Sequence, residues 1–118
     1  MRVRLRDDAI EPDAEMLQRG KSYTVYAITL SAPIQFLIEE EDALSFPFFV
    51  SSELFDVVDS ELSKYMHYSS ALPSSEVFSS RPPLLAFHEM AIDRLFYQRL
   101  VDGEEPEKGI WARVKALM

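Results

Sequence analysis

The fold of this chain depends on one stretch of its sequence, Ser22-Tyr23-Thr24-Val25-Tyr26-Ala27-Ile28-Thr29-Leu30. β-Branched and aromatic side chains fill this stretch, and Gly20 stands just before it, so the pattern predicts a strong β-strand. Apolar groups occupy both odd and even positions along it. Since successive side chains of a strand point to opposite faces, we expect a strand that is covered on both sides.

Several shorter strands are predicted around this one. They cover residues 2–6, 34–38, 46–50, 54–58 and 63–68. Pro47 places the strand at 46–50 at an edge or a bulge, because proline cannot donate to a ladder. The turns between strands are too short for crossover helices, which excludes a parallel α/β sheet. We therefore expect the first 69 residues to form an antiparallel sheet curled into a small, partly open barrel.

The periodicity changes after a segment rich in Ser and Pro at residues 70–83, which we interpret as a linker. From Leu84 onward, spacings of three and four mark one side of an amphipathic helix at Leu85, His88, Ile92, Leu95, Phe96 and Leu100. Gly103 is suited to stop this helix, and a second helix is predicted after Pro106. The expected fold is a single α+β domain, residues 1–118, with the barrel at 1–69 and two helices at 84–118.

The composition narrows the class of protein. At 118 residues, with 47% apolar residues, the chain has room for one domain with its own core. It contains no cysteine, which excludes disulfides, thiolate metal sites and cysteine nucleophiles, and which fits a reducing compartment. No apolar run reaches the length of about 18 residues that a membrane span needs, and charges interrupt the N-terminal stretch where a signal peptide would be apolar. We expect a soluble, cytoplasmic protein.

The charge is acidic and unevenly distributed. The net charge is −8, and residues 1–70 carry 6 basic against 13 acidic side chains, whereas residues 71–118 carry 6 against 7. Binding to nucleic acid or to an anionic membrane surface needs clustered Lys and Arg, so both partners are excluded. The excess negative charge belongs to the β-rich part of the chain.

The sequence lacks the common catalytic motifs. The three glycines are far apart, so it has neither a phosphate-binding loop nor a nucleophile elbow. His67 and His88 lack metal-ligand spacing, and the simpler interpretation of His88 is a partly buried helix residue. An enzyme that uses His88 with Glu89 is the less favoured alternative. We expect no enzyme activity, no metal and no cofactor.

An acidic run, Glu39-Glu40-Glu41-Asp42, stands out in the β-rich part. Calcium loops alternate their carboxylates and need a glycine, and this run has neither feature. It is either a solvated turn or part of an anionic surface that attracts a basic partner. Aromatic residues that are candidates for exposure could anchor such a partner. The predicted partner-binding residues are Glu39, Glu40, Glu41, Asp42, Glu53, Asp56, Asp59, Glu61, Tyr26 and Phe48.

Part of the chain resembles a known group of proteins. The segments Gly20-Lys21-Ser22-Tyr23-Thr24-Val25-Tyr26-Ala27-Ile28, Phe36-Leu37-Ile38-Glu39 and Leu54-Phe55-Asp56-Val57-Val58-Asp59 are similar to small bacterial SH3-like proteins. Some of those proteins resemble immunity proteins encoded beside secreted toxins. The resemblance covers residues 20–60 and implies an SH3-like barrel. It favours a non-enzymatic module that neutralises a basic toxin through an acidic face, and the alternative is a self-associating structural or regulatory subunit.

Overall fold

The structure is a computed structural model that describes residues 1–10, 12–70, 83–93 and 95–118. These residues include eight β-strands and three α-helices. The strands are β1 Arg2–Leu5, β2 Ser22–Thr24, β3 Ala27–Thr29, β4 Gln35–Ile38, β5 Phe48–Ser51, β6 Phe55–Asp59, β7 Met66–Ser69 and β8 Leu84–Phe87. The helices are α1 His88–Ile92, α2 Phe96–Val101 and α3 Glu107–Leu117. Short 3-10 helices cover Pro12–Met16 and Ser52–Leu54.

The strands form two antiparallel sheets. One has three strands in the order β2-β1-β6, and the other has five in the order β5-β4-β3-β8-β7. The prediction of an antiparallel α+β fold is confirmed. The predicted SH3-like barrel is not confirmed, because the described strands lie in two separate sheets and form no closed barrel.

The five-stranded sheet is covered on both faces. On one face, Ile28, Phe36 and Val50 share a core with buried residues of the three-stranded sheet such as Val3 and Phe55. On the other face, the core contains residues of the sheet and of the helices, namely Ala27, Leu37, Ala86, Phe96, Trp111 and Val114. All three residues of β3 are buried, so the predicted double coverage is confirmed for this strand.

The stretch predicted as one strand, residues 22–30, contributes to both sheets. Its first part is β2 and its second part is β3, and the chain crosses between the sheets at Val25 and Tyr26. The N–H of Val25 donates to the carbonyl of Met1, whereas the N–H of Tyr26 donates to the carbonyl of Leu37. Val25 is fully buried at this crossing, within the core that residues of both sheets share.

The helix predicted from Leu84 is wrong over its first turn. Residues 84–87 form β8, which lies between β3 and β7 in the five-stranded sheet. The run Leu84-Leu85-Ala86-Phe87 is apolar throughout, and such a run has no period that separates a strand from a helix. Residues 84–87 form a strand rather than a helix because the N–H and C=O groups along the open edge of β3 need a neighbouring strand.

The region that follows β8 forms two helices where one was predicted. Asp93 has an extended backbone, with φ −128° and ψ 107°, and separates α1 from α2. Its carboxylate accepts the N–H of Leu95 at 2.9 Å. Because of this break, Ile92 and Leu95 are exposed, whereas Phe96 and Leu100 are buried as predicted.

The C-terminal part follows the prediction closely. Gly103 has φ +76° and its N–H donates to the carbonyl of Leu100, while the N–H of Glu104 donates to that of Arg99, the pattern of a Schellman motif. α3 begins after Pro106 and buries Trp111. Most of the predicted linker, residues 71–82, lies outside the described residues. No helix in the described ranges is long and apolar enough to cross a membrane.

Candidate functional site

The acidic run does not form one surface, because its first two residues point to opposite sides. Glu39 follows β4, and its carboxylate accepts the indole N–H of Trp111 and the Lys115 ammonium, each at 3.1 Å. The Glu39 side chain is only 8% exposed. Burial alone would lower the pKa of Lys115, but its interactions with Glu39 raise this pKa above its ordinary value. Glu39 therefore attaches α3 to the sheet.

Glu40 is 1% exposed and lies on the opposite side of the strand from Glu39. Its carboxylate accepts the hydroxyl of Tyr23 at 2.6 Å and the Lys21 ammonium at 3.1 Å. Burial alone raises the pKa of Glu40, but the hydrogen bonds from Tyr23 and Lys21 hold this pKa below its ordinary value. Burial, together with the bond to Glu40, raises the pKa of Tyr23 to about 12. Glu40 is thus a buried structural carboxylate.

Glu41 and Asp42 are exposed, but both contact neighbours within the chain. Glu41 lies 3.6 Å from Lys115, and Asp42 accepts the side-chain amide of Gln18 at 2.9 Å. The period of two along a strand, extended past Ile38, was the signal that could have assigned Glu39 and Glu40 to opposite faces.

The two predicted aromatic anchors are in or near the core. Phe48 is buried, which contradicts its expected exposure. Tyr26 is half-buried, and its ring meets that of Trp111 edge to face with centroids 4.7 Å apart. Burial raises the pKa of Tyr26. Neither ring is placed to anchor a partner without rearrangement.

The remaining predicted acids lie together on and beside β6. Glu53, Asp56, Asp59 and Glu61 are all exposed. Large apolar side chains are exposed among them: Val57 is 48%, Val58 46% and Leu62 46% exposed. We call this surface the β6 edge and define it by Asp56, Val57, Val58, Asp59, Glu61 and Leu62.

The β6 edge borders the three-stranded sheet and is irregular at one point. β6 pairs with β1, with Val3 opposite Val57 and Arg2 opposite Asp59. The single step from Arg2 to Val3 on β1 is matched by two steps on β6, from Asp59 to Val57. Val58 is therefore the additional residue of a β-bulge. Bulges of this kind are common on edge strands, where they limit pairing with unrelated chains.

Charge on the outer face of this sheet is arranged in rows. Arg2 and Arg4 of β1 lie opposite Asp59 and Asp56 of β6, respectively. Opposite charges on facing positions of neighbouring strands stabilise a sheet. The acidic row is therefore outermost, with a basic row inside it.

The two histidines lie close together, a proximity that the sequence did not predict, although His88 with Glu89 was the alternative catalytic pair. The rings of His67, from β7, and His88, from α1, are 5.4 Å apart between centroids. They line a pocket of about 90 Å³ together with Glu89, whose carboxylate pairs with Arg113 at 3.1 Å. His88 is exposed rather than partly buried as expected. In the described ranges, no three His, Asp or Glu side chains come together to hold a metal ion.

Comparisons of the chain with protein-family models, with curated proteins and with solved structures gave no match.

Proposed function

We propose that this protein is a non-enzymatic binding module that engages a basic protein partner through the β6 edge. The observation that carries the proposal is the combination of exposed carboxylates and exposed valines on one outermost strand. Apolar side chains supply binding energy when a partner covers them, and the surrounding carboxylates speed association with a basic surface. The proposed binding surface is smaller than the sequence indicated. The buried or half-buried Glu39, Glu40, Tyr26 and Phe48 do not belong to it, and the exposed Glu41, Asp42 and Glu53 lie outside the β6 edge as defined.

The finer form of the proposal is a bacterial immunity protein that neutralises a basic toxin. It is supported by the resemblance of residues 20–60 to SH3-like proteins of that type and by the charge of the edge. An inhibitor of this kind needs a stable surface rather than a catalytic pocket. In this proposal, the toxin would be blocked by occupation of its own basic surface.

The alternative, a self-associating subunit, depended on exposed aromatic residues in the β-rich part. Phe48 is buried and Tyr26 half-buried, so this support is weaker than the sequence indicated. Light scattering of the isolated protein separates the two functions, because a stable homo-oligomer without partner favours self-association.

The test compares two variants that lose the same charge at different places. The edge variant carries Asp56→Asn, Asp59→Asn and Glu61→Gln, and the control carries Asp102→Asn, Glu104→Gln and Glu105→Gln, all at exposed acids near α2 and α3. A partner is captured from the source cell and purified, and its dissociation constant is measured over a range of salt concentrations.

We expect the edge variant to bind more weakly, with a slower association rate and a flatter salt dependence, and the control to bind as the wild type does. Equal effects of the two variants would contradict the proposed surface. If the partner is a toxin, the wild-type protein but not the edge variant should restore growth of cells that express it.

A further inference from the structure

The β6 edge offers main-chain groups as well as side chains. Among the described residues, β6 pairs with β1 alone, so no strand lies against its other side. The free side of an edge strand presents N–H and C=O groups that can receive an extended segment of another chain. We propose that the partner binds by adding such a segment to β6, as a fourth strand of the three-stranded sheet. This inference rests on the proposed function and specifies how the partner is held.

The charge rows indicate the chemistry of the added segment on the outer face. The row on β1 is basic, with Arg2 and Arg4, and the row on β6 is acidic, with Asp59 and Asp56. A further strand would place its outer side chains beside the acidic row. Because facing positions of neighbouring strands favour opposite charges, these side chains are Lys or Arg.

The inner face of the three-stranded sheet indicates which side chains occupy the alternate positions of the added segment. Val57 lies opposite Val3 and therefore points to the core face, yet it is half-exposed, whereas Val3 is fully buried. Val3 lies on the central strand β1, between β2 and β6, whereas Val57 lies on β6 and has a neighbouring strand on one side only. Apolar side chains of an added strand would cover Val57 and extend the core. The segment that fits the β6 edge thus alternates basic and apolar residues.

The chain itself contains an example of this pattern. β1 reads Arg2-Val3-Arg4-Leu5 and already occupies the inner side of β6. One side of β6 therefore already pairs with a strand that has basic residues on one face and apolar residues on the other. The partner's segment is of the same class.

Charge also decides against a second copy of this chain at the same edge. Two β6 strands paired with each other would bring the aspartates of both copies together on one face. Like charges at facing positions destabilise a sheet, so a basic segment of another protein is the favoured occupant. The bulge at Val58 interrupts the regular ladder of β6 and limits pairing there with any added segment, so the charge complementarity has to offset it.

The experiment uses a defined probe, the peptide Arg-Val-Arg-Leu-Arg with blocked ends, because the partner is unidentified. Two derivatives carry N-methyl groups, one on the three arginine amides and the other on the valine and leucine amides. Residues on one face of a strand direct their N–H groups to the same edge, so one derivative loses the N–H donors that face β6 and carries methyl groups there, whereas the other keeps these donors. All three peptides carry the same charge.

Binding to the full chain is followed by amide chemical shifts. We expect the parent peptide to perturb the amides of Asp56, Val57, Val58 and Asp59, and one N-methylated derivative to bind at least tenfold more weakly than the other. Equal binding of the two derivatives, or shifts centred elsewhere, would overturn strand addition. Dimerisation through β6 in the absence of peptide, detected by sedimentation, would overturn it as well.

The outcomes separate the two proposals. If the edge variant loses the captured partner while both N-methylated peptides bind alike, the acidic surface stands and the strand mode fails. If the edge variant keeps the partner, the proposed function fails, whatever the peptides do.

Discussion

The indole N–H of Trp111 donates to the carboxylate of Glu39 over 3.1 Å, although the two residues are 72 positions apart. The same carboxylate accepts the ammonium of Lys115, which also lies over the Trp111 ring at 5.8 Å from its centroid. An acid that looks like a surface residue in the sequence thus joins the last helix to the five-stranded sheet. Replacing Glu39 should therefore lower the free energy of unfolding rather than the affinity for a partner.

Replacing Glu39 by Ala should destabilise the fold, because the indole N–H and the Lys115 ammonium lose their acceptor. We expect a decrease of about 1–3 kcal/mol in the free energy of unfolding. The matched control is Glu41→Ala, at a side chain that is exposed and more distant from Lys115, for which we expect a change within about 0.5 kcal/mol. Urea denaturation followed by the fluorescence of the single tryptophan measures both, and equal losses would contradict the role of Glu39.

The buried pair of Tyr23 and Glu40 should make the protein sensitive to alkali. The folded state raises the pKa of Tyr23 from 10.0 to about 12, so the neutral phenol is the form that folding favours. The resulting contribution to stability is complete below pH 10 and is lost as the pH rises to about 12. We therefore expect the melting temperature to fall over this range.

The variant Tyr23→Phe tests this origin. At neutral pH it should lower the free energy of unfolding by about 1–3 kcal/mol, because Glu40 loses a hydrogen-bond donor while it stays buried. Its melting temperature should then decline less than that of the wild type between pH 10 and pH 12. The exposed Tyr68→Phe serves as the control and should follow the wild-type curve. A Tyr23→Phe curve parallel to the wild type would show that other groups cause the decline.

The position of β8 predicts which substitutions the chain tolerates after residue 83. Leu84 is buried in the core beneath the helices, and Leu84→Asp should abolish the cooperative unfolding transition. Ile92 is 65% exposed, so Ile92→Asp should change the free energy of unfolding by less than about 0.5 kcal/mol. If the helix expected from the sequence had formed, Ile92 would lie on its apolar side, and Ile92→Asp would strongly lower the free energy of unfolding. Circular dichroism with thermal denaturation distinguishes the two.

The sequence predicted those features that depend on local pattern. The antiparallel α+β class, the double coverage of β3, the stop at Gly103 and the helix after Pro106 follow from periodicity and turn chemistry, which neighbouring residues determine. The division of residues 22–30 between two sheets could not be predicted, since β2 and β3 share one pattern and differ only in their hydrogen-bond partners.

The candidate site was predicted in part, for a related reason. The exposed acids of the β6 edge were predicted because the β-rich part is rich in Asp and Glu. The same criterion also selected Glu39 and Glu40, which are buried against partners distant in sequence. Lys115 and Trp111 lie more than 70 positions beyond Glu39. Composition locates charge along a chain, whereas only the tertiary structure determines which charges are already neutralised.

The place of β8 in the five-stranded sheet also bears on how the chain folds during synthesis. β3 receives β4 on one side early, but its other neighbour is encoded only at residues 84–87. β7 pairs with β8 alone among the described strands, so it too has no partner until those residues leave the ribosome. We therefore expect the first 70 residues, although they hold seven of the eight described strands, to complete the five-stranded sheet only after residues 84–87 have been synthesised.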